Sequence, residues 1–238
     1  MSGDGLELWR KVEKTDPGHT KQFSGKGGFK GTAISPMWLI KRATELWGPM
    51  GWKWGVRVID QQVLDGDGTE KLHVVMAEVF YPMPDGSTGA VPCFGQTILC
   101  GRRKEGAFYL DEEAPKKSLT DALTKGLSWL GFAADVHMGL YDDVKYVNQV
   151  AKDFEEQERQ KQAADARERH EKMKKEAAAV LDGAAKQGTR ALQTAWQALS
   201  QAQRQAVADA GGGCPDVYKR SAAEADKSNH KEAAHARN

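Results

Sequence analysis

No stretch of the 238-residue chain approaches the roughly 18 to 20 consecutive apolar residues of a membrane-spanning helix. Its first twenty residues mix acidic and basic groups where a secretory leader needs an apolar core. The expectation is a soluble protein of the cytoplasm with no membrane partner. Cysteine is scarce: Cys93, Cys100 and Cys214 offer neither a disulfide framework nor a paired CxxC knuckle. An excess of one charge is also missing. Lys+Arg 34 against Asp+Glu 33 leaves a formal net charge of +1, so no global field attracts nucleic acid and any such site must be a local patch. Catalytic signatures are equally sparse. There is no GxxxxGK[ST] phosphate loop, no HExxH and no GxSxG elbow, and His19, His73 and His137 are far apart in sequence. Asp111, Glu112 and Glu113 are consecutive, and neighbouring helical positions point in different directions, which a two-metal nuclease site cannot use.

Composition changes near residue 150. Six of the seven tryptophans, Trp9, Trp38, Trp47, Trp52, Trp54 and Trp129, precede that point, so residues 1–150 can build a core. Residues 151–187 begin with a run carrying eight acidic and eight basic residues from Ala151 to Glu176, which reads as a charged helical linker. Residues 188–226 recover an apolar stripe at Leu192, Ala195, Trp196 and Leu199 and read as a small helical module. Residues 227–238 read as a disordered tail.

Within the first part, SPMWLIKRATELWG spells a helix, with Ser35 at its start, Pro36 at the first helical position, Gly48 past its end, and Met37, Ile40, Ala43 or Thr44 and Trp47 as the apolar face. WKWGVRVIDQQVL alternates as a strand with Trp52, Trp54, Val56 and Val58 on one side. DGDG at 65–68 and PDGS at 84–87 are turns separating it from strands beginning at Lys71 and near Ala90, and GAFYL from Gly106 adds a short fourth. A second helix starts near Glu112 to Ala114 and stops at Gly131, with Leu119, Leu123, Leu127 and Leu130 facing the sheet and Asp121 spaced to pair Lys117 and Lys125. The fold class is therefore α+β: an antiparallel meander packed on a long helix, with a mostly helical C-terminal extension.

Two features suit a phosphate backbone. The loop FSGKGGFKGT carries Lys26 and Lys30 among glycines that let backbone amides approach an anion, with Lys21 just before it. Arg102, Arg103 and Lys104 form a second basic run, and Lys116 with Lys117 a third. Phe23, Phe29, Phe108 and Tyr109 lie close enough in sequence to add base stacking.

KKSLTDALTKGLSWLG, from Lys116, resembles the signature of the single-strand DNA annealing superfamily, which includes the eukaryotic double-strand-break-repair annealing ring and several phage recombinases. The TDP and TK of Thr15 to Lys21, the GTAI and ATELWGPMGWKWG of Gly31 to Gly55, and FAADVHMGLYDDVKY after the helix also resemble phage members, so the likeness spans about residues 9–146. It implies ATP-independent annealing of complementary strands in homologous recombination, no cofactor, a homo-oligomeric ring or filament, and single-stranded DNA in a basic groove shared between subunits of a bacterial or phage-infected cell. Thr120 and Asp121 match the motif's own Thr and Asp, and Lys125 matches the second basic residue of its DNA-contacting pair. Thr124 stands where the family has the first basic residue, and Ser128 where the eukaryotic relative has Arg. Lys21, Lys26, Lys30, Arg102, Arg103, Lys116 and Lys117 are the further candidate DNA contacts, and Thr120, Asp121 and Gly131 the structural motif residues. The C-terminal module around Trp196 looks like the tails with which phage recombination proteins recruit a single-strand-binding protein. The alternatives are a single-strand-binding accessory protein without annealing activity, a metal-dependent nuclease, and a protein that acts through protein contacts alone.

Overall fold

The computed structural model describes residues 5–25, 28 and 30–235. Two units divide after Phe154. In the first, helix α1 (Glu7–Val12) and a 3-10 turn at Pro17–His19 lead into a ribbon of β1 (Thr20–Ser24) and β2 (Lys30–Ile34). Helix α2 (Pro36–Trp47) follows, then a four-stranded antiparallel sheet in sequential order: β3 (Gly55–Asp65), β4 (Lys71–Pro82), β5 (Thr88–Arg102) and β6 (Phe108–Leu110). Helix α3 (Ala114–Trp129), the short α4 (Ala134–His137) and the first turns of α5 (Val144–Ala185) complete the unit. This is the α+β meander on a helix that the sequence predicts. The glycine loop differs from expectation, because its flanks pair as a ribbon from Thr20 opposite Ile34 to Ser24 opposite Lys30.

The alternation of β4 turns His73, Val75, Ala77 and Val79 toward α3. What meets them is not the leucine stripe alone. Ala114, Ser118, Ala122 and Gly126, at i, i+4 spacing, form the buried face of α3, with Leu123 and Leu127 beside them and Leu119 half-buried. These small residues let helix and sheet approach closely: a Cβ on Gly95 of β5 would lie 1.9 Å from the Ser118 carbonyl oxygen, and one on Gly126 would lie 2.5 Å from Val79 Cγ2. The single Ser118 Oγ hydrogen lies within reach of the Ala114 carbonyl (2.9 Å) and the His73 carbonyl (3.2 Å), so the hydroxyl under the helix is satisfied.

On α2, Ile40, Ala43 and Trp47 face the core as the stripe predicts, joined by the buried Trp38 and Leu39, whereas Met37 is 68% exposed. Trp54 is fully buried with its Nε1 donating to the Gly48 carbonyl at 2.7 Å, but Trp52 lies in the preceding turn, 67% exposed, and is not a strand residue. Trp47 packs its ring against Trp54, Tyr81 and Phe132 at centroid distances of 5.9, 5.7 and 5.5 Å. Gly131 ends α3 as expected, with φ +98°, and the indole of Trp9 covers it so closely that a Cβ would sit 2.7 Å from the ring.

A buried polar clamp then ties the chain after α1 to the segment after α3. Asp135 accepts from Thr15 N (2.8 Å), Thr15 Oγ1 (2.6 Å) and Tyr146 Oη (3.1 Å), and Tyr141 Oη donates to the Thr15 carbonyl. Burial first, and then the Asp135 carboxylate, push both phenols well above their ordinary range and keep them as donors.

The second unit takes the rest of α5 with α6 (Thr189–Ala198), α7 (Gln201–Val207) and α8 (Asp216–His235). Its core is Ala177, Leu181, Ala185, Leu192, Leu199, Val207 and Ala222. Asp226 accepts from Thr189 N, capping α6 from α8, and Ser200 with Gln203 forms a capping box on α7. The expected disordered tail is helical from Lys227 through His235, as the continuation of α8. Among the described residues no helix is long and apolar enough to cross a membrane.

Candidate nucleic-acid interface

The solvent side of α3 is built by the same periodicity that buries its small residues. Thr120 Oγ1 donates to the Lys116 carbonyl (2.9 Å), Thr124 Oγ1 to the Thr120 carbonyl (2.8 Å) and Ser128 Oγ to the Lys125 carbonyl (2.8 Å). A row of hydroxyls thus runs along the helix, each donating its one hydrogen back to its own backbone, with only oxygen lone pairs left to face outward. Lys125 is exposed among them and has no ion-pair partner among the described residues. The nearby Lys125 ammonium also acts on His137, whose imidazole is held below its ordinary value first by desolvation and then by that charge.

Asp121 does not hold Lys117 and Lys125 as its spacing suggests. Its carboxylate accepts from the Gln96 backbone N–H of β5 at 3.2 Å, binding the helix to the sheet edge. Lys117 instead pairs with Asp111 at 2.6 Å, and Lys116 with Glu113 at 2.6 Å. Those lysines hold both carboxyls below the usual carboxylate range, through the hydrogen bonds foremost. Two of the candidate contacts therefore spend charge locally, and the DEE run is tied up at the start of α3.

Two hairpins supply the other candidates. On β1, Lys21 and Phe23 are two residues apart and share one face of the ribbon, both exposed, while Lys30 lies on the other face opposite Ser24. On the β5–β6 hairpin Arg102 and Phe108 are directly opposed and so share a face, again both exposed. Arg102 Nη1 also donates to the Gly106 carbonyl at 3.0 Å, which steadies the turn carrying Arg103 and Lys104. Tyr109 is half-buried beside Gly101. Lys26 and Phe29 lie outside the described residues.

The fold thus brings Arg102, Arg103, Lys116 and Lys117 to one end of α3, since Asp111, the partner of Lys117, bonds its N–H to the Leu99 carbonyl next to the hairpin. Lys125 belongs with His137 nearer the other end of the helix. The side chains of Lys21 and Lys30 make no hydrogen bond or ion pair among the described residues, and nothing links them to Lys125. The hydroxyl row was legible as Thr120, Thr124 and Ser128 at i, i+4 spacing; the approach of His137 was not, because the turn at Gly131 creates it. Trp196 is half-buried against the core of the second unit, where it contributes to packing. Among the described residues no group of three or more His, Cys, Asp or Glu side chains is placed to hold a metal ion.

No protein-family model matches the chain, and no curated protein matches it.

Proposed function

We propose that this protein binds single-stranded DNA and anneals complementary strands without ATP, working as a homo-oligomer in phage-type recombination. The observation that supports it best is an exposed phenylalanine directly opposite a cation on one hairpin face, Phe108 with Arg102. A single strand is held by charge along its backbone and by stacking of its bases, and this pair offers both at once. Lys125, exposed on α3 with no ion-pair partner among the described residues, supplies a further phosphate contact.

Such contacts carry no sequence code, so base edges stay free for a complementary strand, and stacking in the new duplex supplies the driving free energy. Neighbouring copies are part of the proposal, since one chain holds its free cations in separate groups. The second unit is proposed to recruit a single-strand-binding protein, with Trp196 maintaining the shape of that module.

The test is an annealing assay with two complementary oligonucleotides, run with and without ATP and magnesium. Faster pairing than for naked strands, independent of ATP, is expected. Lys125→Glu should weaken strand binding and slow annealing with the helical content unchanged. Failure to bind any oligonucleotide at low salt overturns the reading, and magnesium-dependent cleavage replaces it with a nuclease.

A further inference from the structure

Strand β3 is the long edge of the four-stranded sheet, and among the described residues no strand pairs with its outer side. Helix α3 packs over β4 and β5, leaving β3 exposed from Arg57 to Asp65. Its apolar side chains stand in solvent: Val58 is 46% exposed, Ile59 50%, Val63 51% and Leu64 46%. Sheet proteins normally guard such an edge with lysine, proline or a covering element. Here the guarding falls on β5, the strand nearer the other edge. The Gln96 N–H points there, to Asp121, so Pro92, four residues earlier in the same register, also aims there and removes a donor. Strand β3 contains neither lysine nor proline. Arg57 pairs with Glu78 and Asp65 with Lys71, both on β4, and Asp60 accepts from Gln62 Nε2 on its own strand at 2.7 Å.

We propose that the β3 edges of two copies pair antiparallel about a two-fold axis at Gln61, joining two four-stranded sheets into one. The occupant follows from self-complementarity. Directly opposed residues must share a sheet face, so within the regular run from Asp60 to Asp65 the dyad falls on a residue. A dyad at Asp60 sets two carboxylates face to face, which is unfavourable. A dyad at Gln62 sets Asp60 against Leu64. A dyad at Gln61 sets Gln61 against Gln61, Asp60 against Gln62, and Val63 against Ile59 at the β-bulge, matching polar with polar and apolar with apolar. A second copy of this chain carries that pattern in the required order. The interface is isologous, so by itself it closes at a dimer, and a ring or filament would be built from such dimers through a second contact. It rests on the proposed function only for self-assembly, since strand binding is read separately.

The experiment uses the full chain in a Cys214→Ser background, which leaves only the buried Cys93 and Cys100. Gln61→Cys sets two thiols across the axis, where opposed Cβ atoms lie about 4.5–5.5 Å apart, and mild oxidation should give a covalent dimer. Leu64→Cys, equally exposed but off the axis, should give little. Val63→Lys, which brings a charge against Ile59, should raise the dimer dissociation constant by at least about tenfold in sedimentation analysis. Equal cross-linking at 61 and 64, no cross-link at 61, or unchanged association of Val63→Lys overturns the interface. Oligonucleotide binding by the same samples reports on the proposed function independently: loss of the cross-link with binding intact removes this interface and leaves that function standing.

Discussion

Lys125 and His137 show how one side chain sets the chemistry of another. The His137 imidazole is held below 6.5 first by desolvation and then by the Lys125 charge, so the folded state resists its protonation. A depressed imidazole value means that the unfolded chain binds the proton more readily, so stability should fall as pH drops through about 6.5. In the proposed complex, a DNA phosphate beside Lys125 would oppose that effect. The difference in melting temperature between wild type and His137→Gln is therefore expected to widen toward pH 5.5 in the free protein and to shrink with oligothymidylate present. Salt separates the roles of the lysines. Each phosphate contact on a single strand contributes about −0.7 to the log-log slope of affinity against salt, so Lys125→Ala should flatten it by about that much per subunit. Lys116→Ala should change it less, because Glu113 already neutralises that ammonium at 2.6 Å. Sequence spacing assigned Lys117 and Lys125 alike to Asp121. Only the placement of Asp111, Glu113 and Asp121 sorted them.

At the scale of elements, the contact of α3 with the sheet depends on small residues whose value a hydrophobicity pattern understates. The leucines announce an amphipathic helix, but Ala114, Ser118, Ala122 and Gly126 set how near it comes. Gly95→Ala should destabilise the first unit by about 1–3 kcal/mol, as overpacking does, since its Cβ would lie 1.9 Å from backbone oxygen that cannot move aside. Chemical denaturation followed by tryptophan fluorescence measures it, and a cost near zero would mean the helix sits farther out. The β1–β2 ribbon was illegible for a related reason. Thr20–Ser24 and Lys30–Ile34 carry too few alternating apolar residues to read as strands, and their pairing is closed at its base by the Ser35 N–H, which donates to the His19 carbonyl at 2.9 Å.

For the whole molecule, each unit has its own core and should melt as its own transition. Leu181 is fully buried in the second unit, and Leu181→Ala should cost that unit about 2–5 kcal/mol while the tryptophan-rich transition of the first holds its midpoint. Calorimetry separates the two, and a joint shift would show one cooperative block instead. The division near residue 150, the α+β class, the two main helices and the order of strands were determined by the sequence alone, because hydrophobic period, proline and glycine act locally and survive without knowledge of neighbours. Tertiary structure decided which charges are free and which sheet edge is guarded. Those outcomes turn on distances between residues remote in sequence, and an ion pair or a capped edge exists only once packing has brought both partners together.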